Sequence, residues 1–277
     1  MIEFLPVLVL VLTFVVLLII GVPVAWCIAI SSMFTLMLAM PVSAATTTVS
    51  QRIATGLDSF ALLAIPFFIL SGQIMSKGGI ANRLISFAKT LVGFLPGGLA
   101  LINIVSAMLM GAIAGSAMAS ASAMGTILGP EMEKEGYSKE FGAAVNITSS
   151  TTGLVIPPSN TLIVYSLASG GVSIAALFLA GYIPGILTGL LMMIVAMIWA
   201  KKNNYPVGKR SSLKEVFVKF IDAFPSLLLL VIVIGGIIGG IFTATEASAV
   251  AVLYTVLLSF YYKEMSLKDL PKVILES

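Results

Sequence analysis

Four hydroxyl side chains stand in a row at Ser149, Ser150, Thr151 and Thr152, directly before Gly153, and Pro157, Pro158, Ser159 and Asn160 follow closely. A second run of small residues, Gly111-Ala-Ile-Ala-Gly-Ser116, precedes them in the chain. Neutral oxygens can coordinate a cation without introducing a negative charge, and glycine lets backbone carbonyls come close. Other chemistries lack their residues. Cys27 is the lone cysteine and the chain has no histidine, so an internal disulfide, a cysteine metal cluster and histidine-based zinc, haem or general-base chemistry are not available. Nothing resembles a phosphate-binding loop. A membrane-embedded enzyme would need clustered acids, histidines or cysteines at membrane depth, and none is seen, so no enzymatic activity is expected.

The elements that must position those oxygens lie in lipid. Of 277 residues 59% are hydrophobic and 10% charged, with a mean hydropathy of +1.12. That composition belongs to an all-α polytopic, multi-pass membrane protein; the apolar runs are continuous, without the short alternation of a β-barrel. Residues 141–200 carry no charge over sixty positions. Such a run should span the bilayer, yet Pro157 and Pro158 lack an N–H and restrict the residues before them, and Gly153 loosens the backbone one turn earlier. Unwound backbone at membrane depth is tolerated only inside protein or along a wet cavity, and in transporters ions and substrates bind there.

In chain order, residues 4–20 and 24–40 read as spans, broken at Gly21-Val-Pro23, and the N-terminal run, without a basic n-region, reads as mature helix. Residues 41–48 read as a turn, 49–60 as a short interfacial helix and 61–76 as a third span. Residues 79–92 read as an amphipathic surface helix. Residues 97–130 are divided at 111–116 into halves too short for a crossing of roughly 20 residues. They read as a re-entrant hairpin with its tip at 114–116; one long small-residue helix or two short spans are the alternatives. A charged loop is expected at 131–140, the broken helix at 141–169, a crossing at 172–200 ending at Trp199, and spans at 225–240 and 248–262. Six of the fifteen Lys and Arg residues fall in 201–219, which places that segment in the cytoplasm and, with a re-entrant hairpin, the N-terminus outside.

Leu5-Pro6 with its apolar run to Gly21 parallels Phe224-Pro225 with its run to Gly240, an offset of 219 positions at both ends (224 − 5 and 240 − 21). On the topology above the two copies are inverted, as in secondary transporters. The second copy stops as its amphipathic arm begins. A whole protein is expected to need roughly 150 more residues for a second hairpin and a second broken helix, which would make this chain a fragment or truncated form.

Several stretches, in order, resemble the large membrane subunit of the tripartite ATP-independent periplasmic (TRAP) transporters. They are Ala64-Ile-Pro-Phe-Phe-Ile-Leu-Ser-Gly72, Gly111 to Ser116, Pro130-Glu-Met-Glu-Lys-Glu-Gly-Tyr137, Gly153-Leu-Val-Ile-Pro-Pro-Ser159 and Thr243-Ala-Thr-Glu-Ala247. The tip reads Ala-Gly-Ser where the family favours Ser-Gly-Ser. The resemblance implies an elevator-type sodium symporter in the bacterial inner membrane, importing an organic acid such as a C4-dicarboxylate or sialic acid. It implies two partners, a small membrane subunit and a periplasmic substrate-binding protein, besides the lipid bilayer; no cofactor but the coupling sodium ion and no nucleic acid are expected. It divides the chain into scaffold (1–60), transport block with hairpin and broken helix (61–200), and basic loop with the start of the second inverted repeat (201–277). A related carrier working without a binding protein, or a structural membrane subunit, are the alternative readings.

On that basis sodium is expected at Gly115, Ser116, Ser149, Ser150, Thr152 and Gly153. Substrate carboxylate is expected at Pro158, Ser159 and Asn160, where a helix start presents free N–H groups and a positive dipole end. Each hydroxyl could instead bond a carbonyl one turn earlier, and each small residue could simply pack. Asn103 and Asn146 could bridge helices, Glu246 reads as a helix N-terminal cap, and Arg52 and Arg83 read as headgroup anchors or partner contacts.

Overall fold

The computed structural model describes residues 4–277. Every regular element among them is helical; the one pairing of extended backbone is an isolated antiparallel bridge between Pro96 and Val207. Four helical segments are long and apolar enough to cross a membrane, Phe60–Lys77, Ile174–Lys202, Leu213–Ile238 and Ala244–Tyr261, with shorter apolar helices at Phe4–Ile19, Val24–Met37 and Gly98–Ala114. The chain is an all-α integral membrane protein.

It divides into two compact units, Met1–Ser59 and Phe60–Ser277. In the first, α1 (Phe4–Ile19) packs on α2 (Val24–Met37), and α2 on α3 (Val42–Leu57). Among its described residues only Cys27, Ser31 and Ala45 are buried. The outward leucines and valines need no cover in a bilayer, because lipid tails solvate them as well as protein does. Residues 42–48, read from sequence as a turn, belong to α3. Pro41 sits just before its first turn, and Thr46, Thr47 and Thr48 donate to carbonyls four residues back, so the polar side chains are satisfied inside the helix.

The second unit is built on α4 (Ala64–Lys77), α5 (Ile80–Val92), α6 (Gly98–Ala114), α7 (Ala117–Lys134), α8 (Lys139–Ser150), α9 (Asn160–Ala168), α10 (Ile174–Lys202), α11 (Leu213–Ile238), α12 (Ala244–Tyr261) and α13 (Leu270–Glu276). Its core gathers Phe68, Met75, Leu84, Leu101, Ile104, Met110, Met124 and Phe178 around α6. Three boundaries differ from the sequence reading. The charged stretch at 131–140 is mostly helical, with only 135–138 left as the turn between α7 and α8. Helix α11 starts at Leu213 and runs through Pro225; interior proline removes one hydrogen bond, which neighbouring helices can compensate in a membrane. Helix α12 opens at Ala244, where Thr243 and Glu246 form a reciprocal capping box, so Glu246 is a cap.

Arg83 also departs from expectation. It is held within the chain: its guanidinium lies 3.6 Å from the Tyr262 ring centroid, 3.3 Å from Asp222, 3.9 Å from Glu264, and donates to the Gly79 carbonyl at 3.0 Å. A fork of five donors stacked on an aromatic face suits that junction of α5, α11 and the end of α12 better than a headgroup contact.

Candidate functional site

The division of residues 97–130 is a real reversal. Gly115 closes α6 at φ +61°, a left-handed conformation that glycine adopts without penalty. Ser116 then caps α7, accepting from the Ala119 N–H at 3.3 Å. The two helices fold back on each other, and Ser120 donates across to the Ala107 carbonyl at 3.2 Å. Helix α4 presses on the tip from one side: a Cβ on Gly72 would sit 2.6 Å from the Ala114 Cβ. With 17 residues and about 1.5 Å of rise per residue, α6 is about 26 Å long.

The second interruption follows α8. A short 3-10 turn, Thr151–Leu154, gives way to non-helical backbone through Pro157 and Pro158, and α9 begins after Ser159. Ser159 closes the break on both sides, donating to the Leu154 carbonyl at 2.5 Å and accepting from the Leu162 N–H at 3.3 Å.

Tip and break meet backbone to backbone. The Asn160 N–H donates to the Gly115 carbonyl at 3.2 Å. A Cβ on Gly115 would lie 2.9 Å from the Pro158 carbonyl oxygen and 3.4 Å from the Asn160 Oδ1. A Cβ on Gly111 would lie 2.4 Å from the Gly153 Cα, and one on Gly153 would lie 3.5 Å from the Ser116 carbonyl. Five of the expected residues, Gly115, Ser116, Gly153, Pro158 and Asn160, are thus brought together with Gly111. The Asn160 Oδ1 is buried there and has no protein partner.

The hydroxyl run lies alongside, with Ser150 and Thr152 turned to carbonyls of their own segment and Ser149 turned to α6. Ser149 donates to the Asn103 Oδ1 at 3.0 Å, Ser150 to the Asn146 carbonyl at 2.7 Å, and Thr152 to the Ser149 carbonyl at 2.6 Å. Spending the hydrogen leaves the oxygen lone pairs free to accept or coordinate. All three residues are buried. Asn103 and Asn146 both bridge helices, the latter donating to the Ala121 carbonyl on α7 at 2.9 Å.

Sequence reasoning missed the wall behind the break. Gly181 and Gly185 on α10 admit it: a Cβ on Gly181 would be 2.4 Å from the Val155 carbonyl oxygen, and one on Gly185 would be 2.5 Å from Ile156. The signal was there as glycines one turn apart opposite a helix break, but such spacing is common in membrane helices. The region carries no Asp, Glu, Lys, Arg or His from 141 to 200. What this arrangement can do is hold a cation on neutral oxygens beside a helix start that favours an anion.

The model of the DctM component of the tripartite ATP-independent periplasmic transporters matches residues 11–277. The chain is 54% identical over 98% of its length to the Salmonella typhimurium protein named "Uncharacterized protein YgiK", covering 62% of that protein. It is 43% identical over 79% of its length to the C4-dicarboxylate TRAP transporter large permease protein DctM of Pseudomonas aeruginosa, covering 52% of it. It is 38% identical over 82% of its length to the sialic acid TRAP transporter large permease protein SiaM of Vibrio cholerae, covering 53% of it. The chain therefore spans between half and two thirds of the length of these relatives.

Proposed function

The chain belongs to the DctM-component family of the tripartite ATP-independent periplasmic transporters, and from that premise we propose that it carries one ion-and-anion half-site of a secondary importer in the bacterial inner membrane. The cargo class is a small organic acid, the chemistry named for the relatives that take a C4-dicarboxylate or sialic acid. A periplasmic binding protein delivers it, and a small membrane subunit braces the permease.

Sodium is the coupling ion. Proton coupling needs a group that titrates in the working range, and the tip and break contain none. A metal cation needs only oxygens, which the carbonyls of Gly115 and Ser116 and the hydroxyls of Ser149, Ser150 and Thr152 supply. The anion is drawn to the start of α9, where Pro158, Ser159 and Asn160 lie at the positive dipole end. The observation that carries this reading is the joining of the two interruptions by the Asn160–Gly115 hydrogen bond and the Gly111–Gly153 contact. A cation at that seam would be held by both, and hairpin and broken helix would move as one block, as an elevator requires.

Uptake into proteoliposomes, with this chain completed by the second half of a related permease and assembled with the partner subunit and binding protein, tests it. Uptake is expected only with an inward sodium gradient and with binding protein present. Equal uptake with potassium replacing sodium, or without the binding protein, would sink the reading. For the chain alone in detergent, sodium should raise the unfolding temperature relative to potassium at equal ionic strength.

A further inference from the structure

Away from the tip and break, a cavity of about 510 Å³ opens between α5, the start of α6, the turn after α7, the 203–212 loop and the start of α11. Four basic side chains line it, Lys89, Lys209, Arg210 and Lys219, against two acidic ones, Glu135 and Glu215. Lys89 is neutralised by Glu131 at 3.0 Å. Among the described residues Lys209, Arg210 and Lys219 have no carboxylate within 4.0 Å, although Glu135 and Glu215 line the same cavity. With Lys89 paired to Glu131, three cations face two carboxylates on this concave wall, and the surplus of positive charge attracts an anion.

The wall is fixed in place. The Pro96–Val207 bridge pins the loop to the α5–α6 turn, and Gly208 lies so close that a Cβ there would be 2.3 Å from the Gly93 carbonyl oxygen. The Arg210 guanidinium stands 5.5 Å from the Phe94 ring centroid. An arginine held by an aromatic ring presents its planar fork to a tetrahedral oxyanion, and lysines add point charges around it. The two glutamates set an upper limit on the ligand's charge, because an extended polyanion would be repelled by them.

We propose that this cavity binds a phosphate group, with Lys209, Arg210 and Lys219 as its ligands. The basic 201–219 segment is read as cytoplasmic. On that side the phosphate comes either from a soluble ion or monoester or from an anionic lipid headgroup.

The purified 277-residue chain is titrated with inorganic phosphate against chloride at constant ionic strength, reading the unfolding temperature. It is also reconstituted in phosphatidylcholine with and without a minor fraction of phosphatidylglycerol. The comparison is a K209Q/R210Q/K219Q variant. We expect at least one probe to stabilise the wild-type chain and the variant to respond at least tenfold more weakly. A response to phosphate alone identifies a soluble ligand, and a response to phosphatidylglycerol alone a headgroup. Equal responses in both chains, or none to either probe, overturn the proposal. Should the triple variant unfold at a lower temperature without ligand, Lys209→Gln alone, on the exposed loop, carries the same comparison.

Discussion

Six helices of the second unit, α7 to α12, start behind a serine or threonine cap, and two of them, α12 and α9, are finished in opposite ways. At α12, Thr243 accepts from the Glu246 N–H at 3.2 Å, and the Glu246 carboxylate returns to the Thr243 N–H at 2.8 Å. That cap is exposed and negatively charged. At α9, Ser159 makes the matching bond to Leu162, but the third residue is a leucine and nothing negative returns. The first helix start has its positive end neutralised from within its own sequence. The second is left positive, buried against another chain reversal, with Asn160 Oδ1 unpartnered. At α9 the Asn160 and Leu162 N–H groups are taken by Gly115 and Ser159, yet no carboxylate offsets the helix dipole; on the reading proposed above, the organic anion supplies that charge.

The largest effect expected from disturbing this contrast is Gly153→Val. Its branched side chain has backbone on the far side, a Cβ alone falling 2.9 Å from the Gly111 Cα. A loss of about 3 kcal/mol of stability is expected, together with the sodium-dependent rise in unfolding temperature. A stable variant that still responds to sodium would separate the seam from the ion.

Leu162→Glu installs at α9 the acid that α12 possesses. The buried break should then cap itself, and the apparent affinity for organic acid in uptake assays should fall at least tenfold, about 1.4 kcal/mol. Unchanged affinity would mean that the positive end of α9 is not the anion site.

Ser149→Ala removes the donor to Asn103 and leaves a buried amide oxygen unpartnered. The cost should be about 1–2 kcal/mol, with weakened sodium dependence, whereas Ser32→Ala in α2 should do neither. Equal effects would reduce the hydroxyl run to packing. The smallest change is expected from Glu246→Gln, about 1 kcal/mol or less in thermal unfolding, with uptake intact; lost uptake would give the exposed cap a part in transport.

Both interruptions were legible in the sequence because the residues that make them have few other uses. Gly115 followed by Ser116 is a left-handed exit followed by an N-cap, and a double proline cannot continue a helix. Glu246 three residues after Thr243 is a capping-box spacing. What escaped detection depended on partners distant in sequence. Gly181 and Gly185 look like ordinary small residues until the backbone they admit is known. Arg83 looked like a surface cation because Asp222, Tyr262 and Glu264 arrive from other helices. The start of α11 was hidden by its lysines and by Pro225, which suggested a beginning where the helix simply continues. The hydrogen bonds of Ser150 and Thr152 follow local geometry, whereas Ser149 reaches Asn103 on α6; the sequence alone left bonding and coordination equally open.

The glycine wall of α10 also measures depth. Gly185, against which Ile156 rests, precedes the interfacial Trp199 by 14 residues, or about 21 Å along the axis at 1.5 Å per residue. With Trp199 taken as the interfacial anchor expected from the sequence and α10 along the bilayer normal, a hydrocarbon layer about 30 Å thick would leave the break roughly 9 Å from the opposite surface. On the proposed reading, a solute seated there would have a short approach from one compartment and more than twice that distance still to cover toward the other. Most of the journey across the bilayer would then lie after capture, which is the stretch that any relocation of the seat, or any corridor opened beneath it, would have to supply.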